Sequence, residues 1–593
     1  MTPVPFKNAV APLRDSYENR YETVVLDSAR SHDKVMRALG DTTPRDDGEP
    51  VLSIFGEGSR LFVLRSPVSD IDPCPHCVLR HLASDSELVS ILDNGEMVAP
   101  SQSLLAALRD GSAYAALDTE LSSSFSETDA PSATEVVVVT TKTGGKIADV
   151  SVAENVVKHP ACRHDRLPER EPNRVTSLTE IAETFTDASF GLFRTVIDVA
   201  RRYESTWFEQ LEPFRVAQVY FLNPAFHSFP DKHEPMGEAG GPGFSDEQAR
   251  LRSFMEGCER HATLLPAPGR LIGRETDFQR PVVTPTECYF YREEQYDHPG
   301  FSFSRYDPEA EYEWTACTTL DGNEVLVPAD FVYPTPSGAT STKLIDGNSN
   351  GTAAHFATEE AVIGAVTELF ERDATMRHWF TQTPQPTVRI ETLPDRCRRW
   401  ARTLSENGYR VTVADVTRHK PFRVFEVFLK ATNPDSFPLV VPAAACALSS
   451  TVAVEKAFLE ALDILVVADA IGGEPVADPQ AVTTTQDHFL FHQRPDRREY
   501  ARRLFDTHTE RPFRASETES SLPKVRKALD TLDVDAFYRD VSPPYLSRRG
   551  ISVVRAVSPD LVPITFGFGR QRLSHPSDPV PNNVPDDIPH MYP

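Results

Sequence analysis

The chain has 593 residues, more than one hydrophobic core usually supports, so two or three domains are expected. Its formal charge of −26 argues against nucleic acid as a partner, because a phosphate backbone calls for a basic face. With 40% hydrophobic residues, no apolar run of membrane-spanning length and no basic-then-apolar N-terminus, the expectation is a folded cytoplasmic protein with no membrane partner. Of 61 basic residues 12 are Lys and 49 are Arg. An acidic, Lys-poor chain suits a salt-rich cytoplasm, but a GC-rich genome favours Arg for unrelated reasons, and both origins stay open.

Residues 1–165 alternate strand-like runs ("ETVVLDSA", "PVLSIFGEG", "RLFVLRS", "TEVVVVTT") with helical stretches such as "SQSLLAALRDGSAYAALD". Eight cysteines are too sparse for a disulfide scaffold. Five stand alone, but Cys74 and Cys77 form a C-x-x-C, and "VVKHPACRHDR" brings Cys162 together with His159, His164 and Asp165. Three cysteines plus a His or Asp make a tetrahedral Zn²⁺ site, while a lone C-x-x-C is also compatible with redox chemistry. The sequence character changes near 166–176, which is taken as the domain boundary.

Beyond it, "FSDEQARLRSFMEGCERHA" carries Ala249, Glu256, Glu259 and Arg260, and the helix of residues 359–374 carries Ala361, Glu368, Glu371 and Arg372 at the same spacing. A third copy, "TVAVEKAFLEALDIL", repeats Ala453, Glu460 and Asp463 without the Arg. The 359–374 helix is apolar on nearly all sides, as in a core helix. Helices sharing a small residue at one level are expected to pack together there and to bring their acids into one cavity. Ionised carboxylates so gathered repel one another and lose hydration unless cations answer them. Mg²⁺, held by a few carboxylates together with nucleotide phosphates, answers them best. There is no G-x4-G-K-[ST] stretch and no Rossmann turn, so a nucleotide would bind by another route; Gly347 and Gly351 of "DGNSNG" leave room for backbone N–H groups to reach a ligand. The last residues, "HPSDPVPNNVPDDIPHMYP", read by composition alone as a disordered tail.

The stretch "GNSNGTAAHFATEEAVIGAVTELFERDA" resembles the central signature of YcaO-domain proteins, "SDEQARLRSFMEGCER" their first E-x-x-E-R helix, and "ISVVRAVSPDLVPITFG" their C-terminal strand segment. The resemblance covers residues 176–593 and implies an α+β protein with the YcaO fold, mixed β-sheets with packed helices, preceded by a small α/β zinc-binding domain. It implies an ATP- and Mg²⁺-dependent enzyme that activates backbone amides. Glu256, Glu259, Glu368 and Glu371 would be Mg²⁺ and phosphate ligands and Arg372 a phosphate contact, with Asn350, Glu360 and Glu460 among the nucleotide-binding residues. His355 and Phe356 depart from the family, which has Gly and a small polar residue there.

Azole-forming members of the family end in a P-x-P-x-P tail that reaches the active site. Here Pro589 and Pro593 keep the outer prolines and Met591 replaces the middle one. The Pro-rich tail, residues 576–593, is therefore expected at the site, with the Pro593 carboxylate a candidate base. The implied reaction is cyclodehydration of a ribosomal precursor peptide, Cys, Ser or Thr giving thiazoline or (methyl)oxazoline. Thioamide formation, with a sulfur-donating partner, and a non-catalytic leader-docking scaffold are the alternatives. Residues 1–165 resemble the zinc-binding part of the ubiquitin-activating-type partner domain of azole-forming systems, with Asp165 where the family has the last Cys. That region shows no clear winged-helix module, which leaves leader capture to a separate subunit. A flavin dehydrogenase acting on the azoline and a homodimer complete the expected partners.

Overall fold

The four β-branched runs near the N-terminus are strands, β1 (Glu22–Leu26), β2 (Val51–Glu57), β3 (Arg60–Ser66) and β4 (Glu135–Thr141), and β5 (Ile147–Ala153) joins them. They form one sheet in the order β1-β2-β3-β4-β5, with β1 and β2 parallel and the other pairs antiparallel. The structure is a computed structural model. Beyond these strands and β6 (Phe193–Asp198), it describes residues 207–211, 213–222, 236–265, 270–298, 300–334, 343–497, 504, 509–547, 550–585 and 588–593. The zinc candidates Cys74, Cys77, Cys162, His164 and Asp165, the helix expected after residue 100 and the 166–176 boundary lie outside the described residues. By its internal packing the chain divides into two units, one of residues 1–171, 175–194 and 221–237 and one of residues 172–174, 195–220 and 238–593.

The second unit is built on helices laid against sheet faces. Strands β6, β7 (Arg215–Leu222) and β8 (Met236–Gly243) form one small sheet. Helix α1 (Asp246–Thr263) follows, started by the Ser245 side chain accepting from the Gln248 N–H and by Asp246 and Glu247 in its first turn. Glycine in a strand usually weakens it, yet β8 reads MGEAGGPG. The helix explains this: a Cβ on Gly241 would stand 2.3 Å from the Ser253 nitrogen, and one on Gly243 2.5 Å from that of Ala249.

A second sheet orders β11 (Glu324–Pro328), β10 (Tyr312–Thr319), β18 (Phe537–Asp540), β19 (Ser552–Val557) and β12 (Thr352–His355), with β9 (Leu271–Gly273) beside β10. A third orders β16 (Val440–Ala447), β15 (Arg423–Ala431), β14 (Tyr409–Asp415), β13 (Thr387–Val388) and β17 (Glu510–Arg511). Helix α2 (Thr358–Thr381) packs on β12 and β19 of one sheet and on β15 and β16 of the other. A helix flanked by two sheets must be apolar on both sides, which accounts for its pattern. It runs past the expected end because Met376, Trp379 and Phe380 keep feeding the core, and it stops where Gln382 turns left-handed.

Helix α3 (Asp395–Glu406) packs on β14, and helix α4 (Ser450–Ile471), capped by Ser449, lies on β15 and β16. Strand β16, VVPAAACA, is buried along its whole length, and its small residues let the helices approach closely. Helices α5 (Thr485–Phe491) and α6 (Leu522–Leu532) complete the longer helices among the described residues. The acid-bearing helices α1, α2 and α4 meet through strands and not mainly against one another, which corrects the direct helix packing expected from sequence: α1 and α2 share β12 and β19, and α2 and α4 share β16. Ala249, Ala361 and Ala453 are each buried, as small residues must be where a helix backbone sits close to a strand.

The C-terminal segment is folded into this unit. Ile588, Met591 and Tyr592 belong to the same core as Phe370, Trp379 and Phe491, so the compositional reading as a disordered tail does not hold for the described residues.

Candidate active site

Among the described residues the sheets leave two free edges near α2, and two of the acids are fixed on them. Strand β12 ends its sheet, so the outward N–H of Ala354 needs an acceptor, and Glu259 of α1 supplies it at 2.8 Å. Strand β16 ends the other sheet, and its Cys446 N–H donates to Glu371 Oε2 at 2.9 Å. Glu368 Oε2 accepts from the Gly351 N–H at 3.0 Å. Each carboxylate is thus held by one oxygen on the main chain.

Arg372 links the remaining oxygens. Its guanidinium reaches Glu368 Oε1 at 3.3 Å and Glu371 Oε1 at 3.2 Å, and its Nε donates to Asn350 Oδ1 at 3.0 Å. Arg260 donates to Glu256 Oε1 at 2.8 Å. Asn350 therefore serves the site by aiming Arg372. The "DGNSNG" loop spends its backbone differently from the expectation: Gly351 N–H goes to Glu368, Asn350 N–H to Asn348 Oδ1 and Thr352 N–H to the Ser349 carbonyl. These N–H groups shape the loop and orient the acids and are not free for a ligand. Gly351 permits this with φ +78° and with no room for a Cβ, which would meet the Ala556 carbonyl at 2.7 Å.

Electrostatically the acids form one group. Burial raises Glu259, and the charges of Glu256 and Glu368 raise it further. Burial and then Glu256 lift Glu460, while burial, Glu460 and Glu256 lift Asp463 well above the usual carboxylate range. Glu368 is raised by burial and by Glu256, and Glu371 is pushed up to about 7 by burial, with Glu368 and Glu460 adding to it against the pull of Arg372. Burial works against the charge on Arg372, but Glu371, Glu368 and Glu460 outweigh it. Asp463 Oδ1 is buried without a partner. Glu368, Arg372 and Glu371 keep 24%, 22% and 13% of their side-chain exposure, so the group lines a solvent-reached cleft.

The structure thus gathers Glu256, Glu259, Glu368, Glu371, Arg372, Glu460 and Asp463. It does not gather Glu360, which is exposed on the first turn of α2, about 12 Å along the helix from Glu368. Among the described residues no three acid, His or Cys side chains converge on a single ion, because their oxygens are turned to arginines and to N–H groups. The donor set still fits Mg²⁺: hard oxygens in excess over the cations that answer them, an orphaned carboxylate oxygen, and an ion that ordinarily takes only one or two carboxylates and leaves the rest of its shell to phosphates and water.

Two residues of the cleft escaped the sequence reading. Arg252 and Lys456 stand three positions after Ala249 and Ala453, one turn before Glu256 and Glu460. Both keep contact with solvent, but surrounding protein lowers both; Glu460 partly offsets this at Arg252, while at Lys456 the charge of Arg252 adds to it. The repeat would have exposed them had it been read one turn earlier. A layer of cations lying one turn from a layer of acids is what a metal-bound polyphosphate requires.

The family model described as YcaO cyclodehydratase, ATP- and Mg²⁺-binding, matches residues 240–562, a span that includes the whole of α1, α2 and α4. The chain belongs to the YcaO family. Among solved structures, a heterocyclase in complex with substrate and cofactor is similar with a TM-score of 0.65 at 15% identity, over 94% of this chain and 79% of that one. The heterocyclase TruD is similar with a TM-score of 0.60, also at 15% identity, over 98% and 82%. These two likenesses show the fold. An uncharacterised protein of Methanothermobacter thermautotrophicus is 33% identical over 138 residues, 23% of this chain, and the chain spans about a third of that relative's length, 32%.

Proposed function

We propose that this YcaO protein is an ATP- and Mg²⁺-dependent cyclodehydratase of a ribosomally made precursor peptide. The observation that carries the reading is the gathering of Glu256, Glu259, Glu368, Glu371 and Glu460 from three helices, with Glu259, Glu368, Glu371 and Glu460 raised by burial and neighbouring acids, and Glu259, Glu368 and Glu371 fixed by main-chain N–H groups beside Arg372. Carboxylates held in that state are relieved by divalent cations. Bound Mg²⁺ neutralises phosphate charge, and ATP is the phosphoryl donor.

Within this reading Glu256, Glu259, Glu368 and Glu371 hold the ions, and Glu460 and Asn350 support them. Arg372, aimed by Asn350, stabilises charge on the transferred phosphoryl. Arg252 and Lys456 take the outer phosphates. The side chain of a substrate Cys, Ser or Thr attacks the preceding carbonyl, and the amide oxygen departs as phosphate, leaving an azoline, ADP and inorganic phosphate. The Pro589–Pro593 segment, with His590, Met591 and Tyr592 buried, favours azoline over thioamide formation and over a docking scaffold, since neither alternative needs a proline-bearing segment folded against α2 and α5.

The remaining parts of the reading are a leader-binding subunit, a flavin dehydrogenase, a homodimer and a cytoplasmic location, the last supported by the free, buried cysteines Cys258, Cys288, Cys317, Cys397 and Cys446. Cys74, Cys77 and Cys162, with His164 or Asp165 as fourth ligand, hold a structural Zn²⁺. Elemental analysis should find one zinc per chain, and a metal-free protein, or a Cys74→Ser variant with full zinc, would remove that site.

The central reading is tested by calorimetric titration with ATP and Mg²⁺. The wild type should bind ATP only with Mg²⁺, and the double variant Glu368→Gln, Glu371→Gln should lose at least tenfold in affinity, about 1.4 kcal/mol. Binding unchanged in the variant would overturn the assignment of the acids.

A further inference from the structure

Strand β19 reads SVVRAV, an apolar run broken by one arginine. Successive side chains of a strand take opposite faces: Val554 and Ala556 join the core around α2, and Arg555 shares the other face with Val557, which packs in the core of Phe331 and Tyr333. Arg555 is only 6% exposed, and Arg572 only 8%. Both close on Phe331, in the single helical turn Ala329–Val332: Arg555 donates to its carbonyl at 3.3 Å, and the Arg572 guanidinium lies over its ring, 5.4 Å from the centre. Across the ladder Arg555 stands opposite Arg539, a like charge.

A buried guanidinium ordinarily has a carboxylate to answer it, because an unpaired charge inside the protein is costly. Here none is spare. Arg555 has two neutral acceptors, Thr352 Oγ1 at 3.2 Å and the Phe331 carbonyl, and among the described residues Arg572 has neither a hydrogen bond nor an ion pair. The Nε atoms of Arg539, Arg555 and Arg572 are all buried without an acceptor. The carboxylates whose charge reaches them are engaged elsewhere: Glu368, acting on Arg555, by Arg372 and the Gly351 N–H, and Asp346, acting on Arg572, by Lys343 and Arg570. Cys288 and Tyr291 beside Arg572, and Cys317 beside Arg555, carry no negative charge, since burial pushes each up to about 12. Burial lowers both arginines, Arg555 to about 10, yet a guanidinium keeps its proton at neutral pH.

We propose that Arg555 and Arg572 bind a small inorganic anion of the size of chloride inside the second unit, between β19 and the Ala329–Val332 turn. The charge class follows from two cations without a counter-charge. The size follows from the surroundings: the N–H groups are out of solvent among Phe331, Tyr291 and Cys288, where a strongly hydrated sulfate or a nucleotide phosphate has no route to give up its water. This face of β19 is turned away from α2, so the site is separate from the acid cleft and stands whether or not the chain is a cyclodehydratase.

The test separates a bound ion from general screening by holding ionic strength constant. Full-length protein is melted in potassium gluconate while potassium chloride or bromide replaces it stepwise. Either halide should raise the melting temperature along a saturating curve, by about 2–4 °C at ten times its Kd, and the NMR line of chloride should broaden and sharpen again when bromide competes. Arg572→Met, which keeps a stem on the Phe331 ring and loses the charge, should lose both effects. Arg399→Gln, at an exposed position on α3, should keep them. In wild-type crystals grown in bromide, anomalous scattering should place one ion in contact with both guanidinium groups, which locates the site even where a variant does not fold. Gluconate and halide acting alike at equal ionic strength would reduce the effect to screening and overturn the proposal. So would a halide response that survives in Arg572→Met, bromide found only away from Arg555 and Arg572, or a response to sulfate without one to halide.

Discussion

Glu371 has one oxygen on the Cys446 N–H and the other on Arg372, and burial lifts it from the ordinary 4.5 to about 7. A carboxyl with a raised folded value binds its proton more readily in the folded chain than in the unfolded one. Its contribution is therefore fully present below about pH 4.5 and is lost as pH rises toward 7, a loss of about 3 kcal/mol before the solvent of the cleft screens it. Mg²⁺ binds the ionised form, so stabilisation by Mg²⁺ should be small at pH 5 and should grow through neutrality. Thermal melts with and without the ion should differ by about 2–4 °C at pH 8 and hardly at all at pH 5. An ion effect independent of pH would mean that Glu371 and its neighbours do not hold the metal. At this scale the identities of Glu256, Glu259, Glu368, Glu371 and Arg372 were legible because their spacing repeats. Arg252 and Lys456 were not: one cation on α1 and one on α4, each a turn away from the acids, look like ordinary surface charge until the two helices are placed together in space.

Turns and strand edges decide whether the acids stand where they are useful. Gly351 combines a left-handed backbone with a close approach to the Ala556 carbonyl while donating its N–H to Glu368. Gly351→Ala should cost about 2–3 kcal/mol of stability and weaken Mg²⁺·ATP binding together with it, since the clash displaces the main-chain N–H that holds Glu368. Gly322, at φ +88° but with nothing near a prospective Cβ, is the control. Gly322→Ala should cost about 1 kcal/mol and leave nucleotide binding alone, because only the backbone strain remains. Equal losses of affinity in the two variants would show that the loop does not orient Glu368. Helix α2 was legible from its all-round apolar pattern over residues 359–374, but its last two turns, which carry Arg377 and His378, were not. The structure buries both, Arg377 on Asp373, Tyr289 and Asp578 and His378 on Glu426, which a linear pattern cannot reveal.

Across the whole chain, 87 acidic residues face 61 basic ones. The excess repels itself in any folded form, and salt screens that repulsion over about 10 Å near 0.1 M and over less as salt rises. The melting temperature should climb by several degrees between about 0.1 M and about 1 M KCl. A flat profile would place the Arg-rich composition with codon bias and would leave the acidic surface without a salt requirement. The same excess is drawn inward at one place, where the charge of Glu256 raises the proton affinity of Glu460 and Asp463 and that of Glu460 raises Asp463 further, and divalent cations should offset it there more effectively than monovalent salt does.

The sequence by itself determined the residue types and the spacing: three helices with a small residue followed two turns later by acids, strand runs of β-branched residues, and a C-terminal tail with prolines at both ends. Those are local properties, set by the 3.6-residue and two-residue periods and by the conformational limits of proline. Tertiary structure alone decided that Glu259 and Glu371 hang on β12 and β16, which end their sheets among the described residues, that the Gly351 N–H of the glycine loop goes to Glu368, and that Tyr592 reaches a buried Glu426. Each of these joins residues far apart in the chain to satisfy a buried donor or acceptor, and the need for such a partner exists only once the chain is folded.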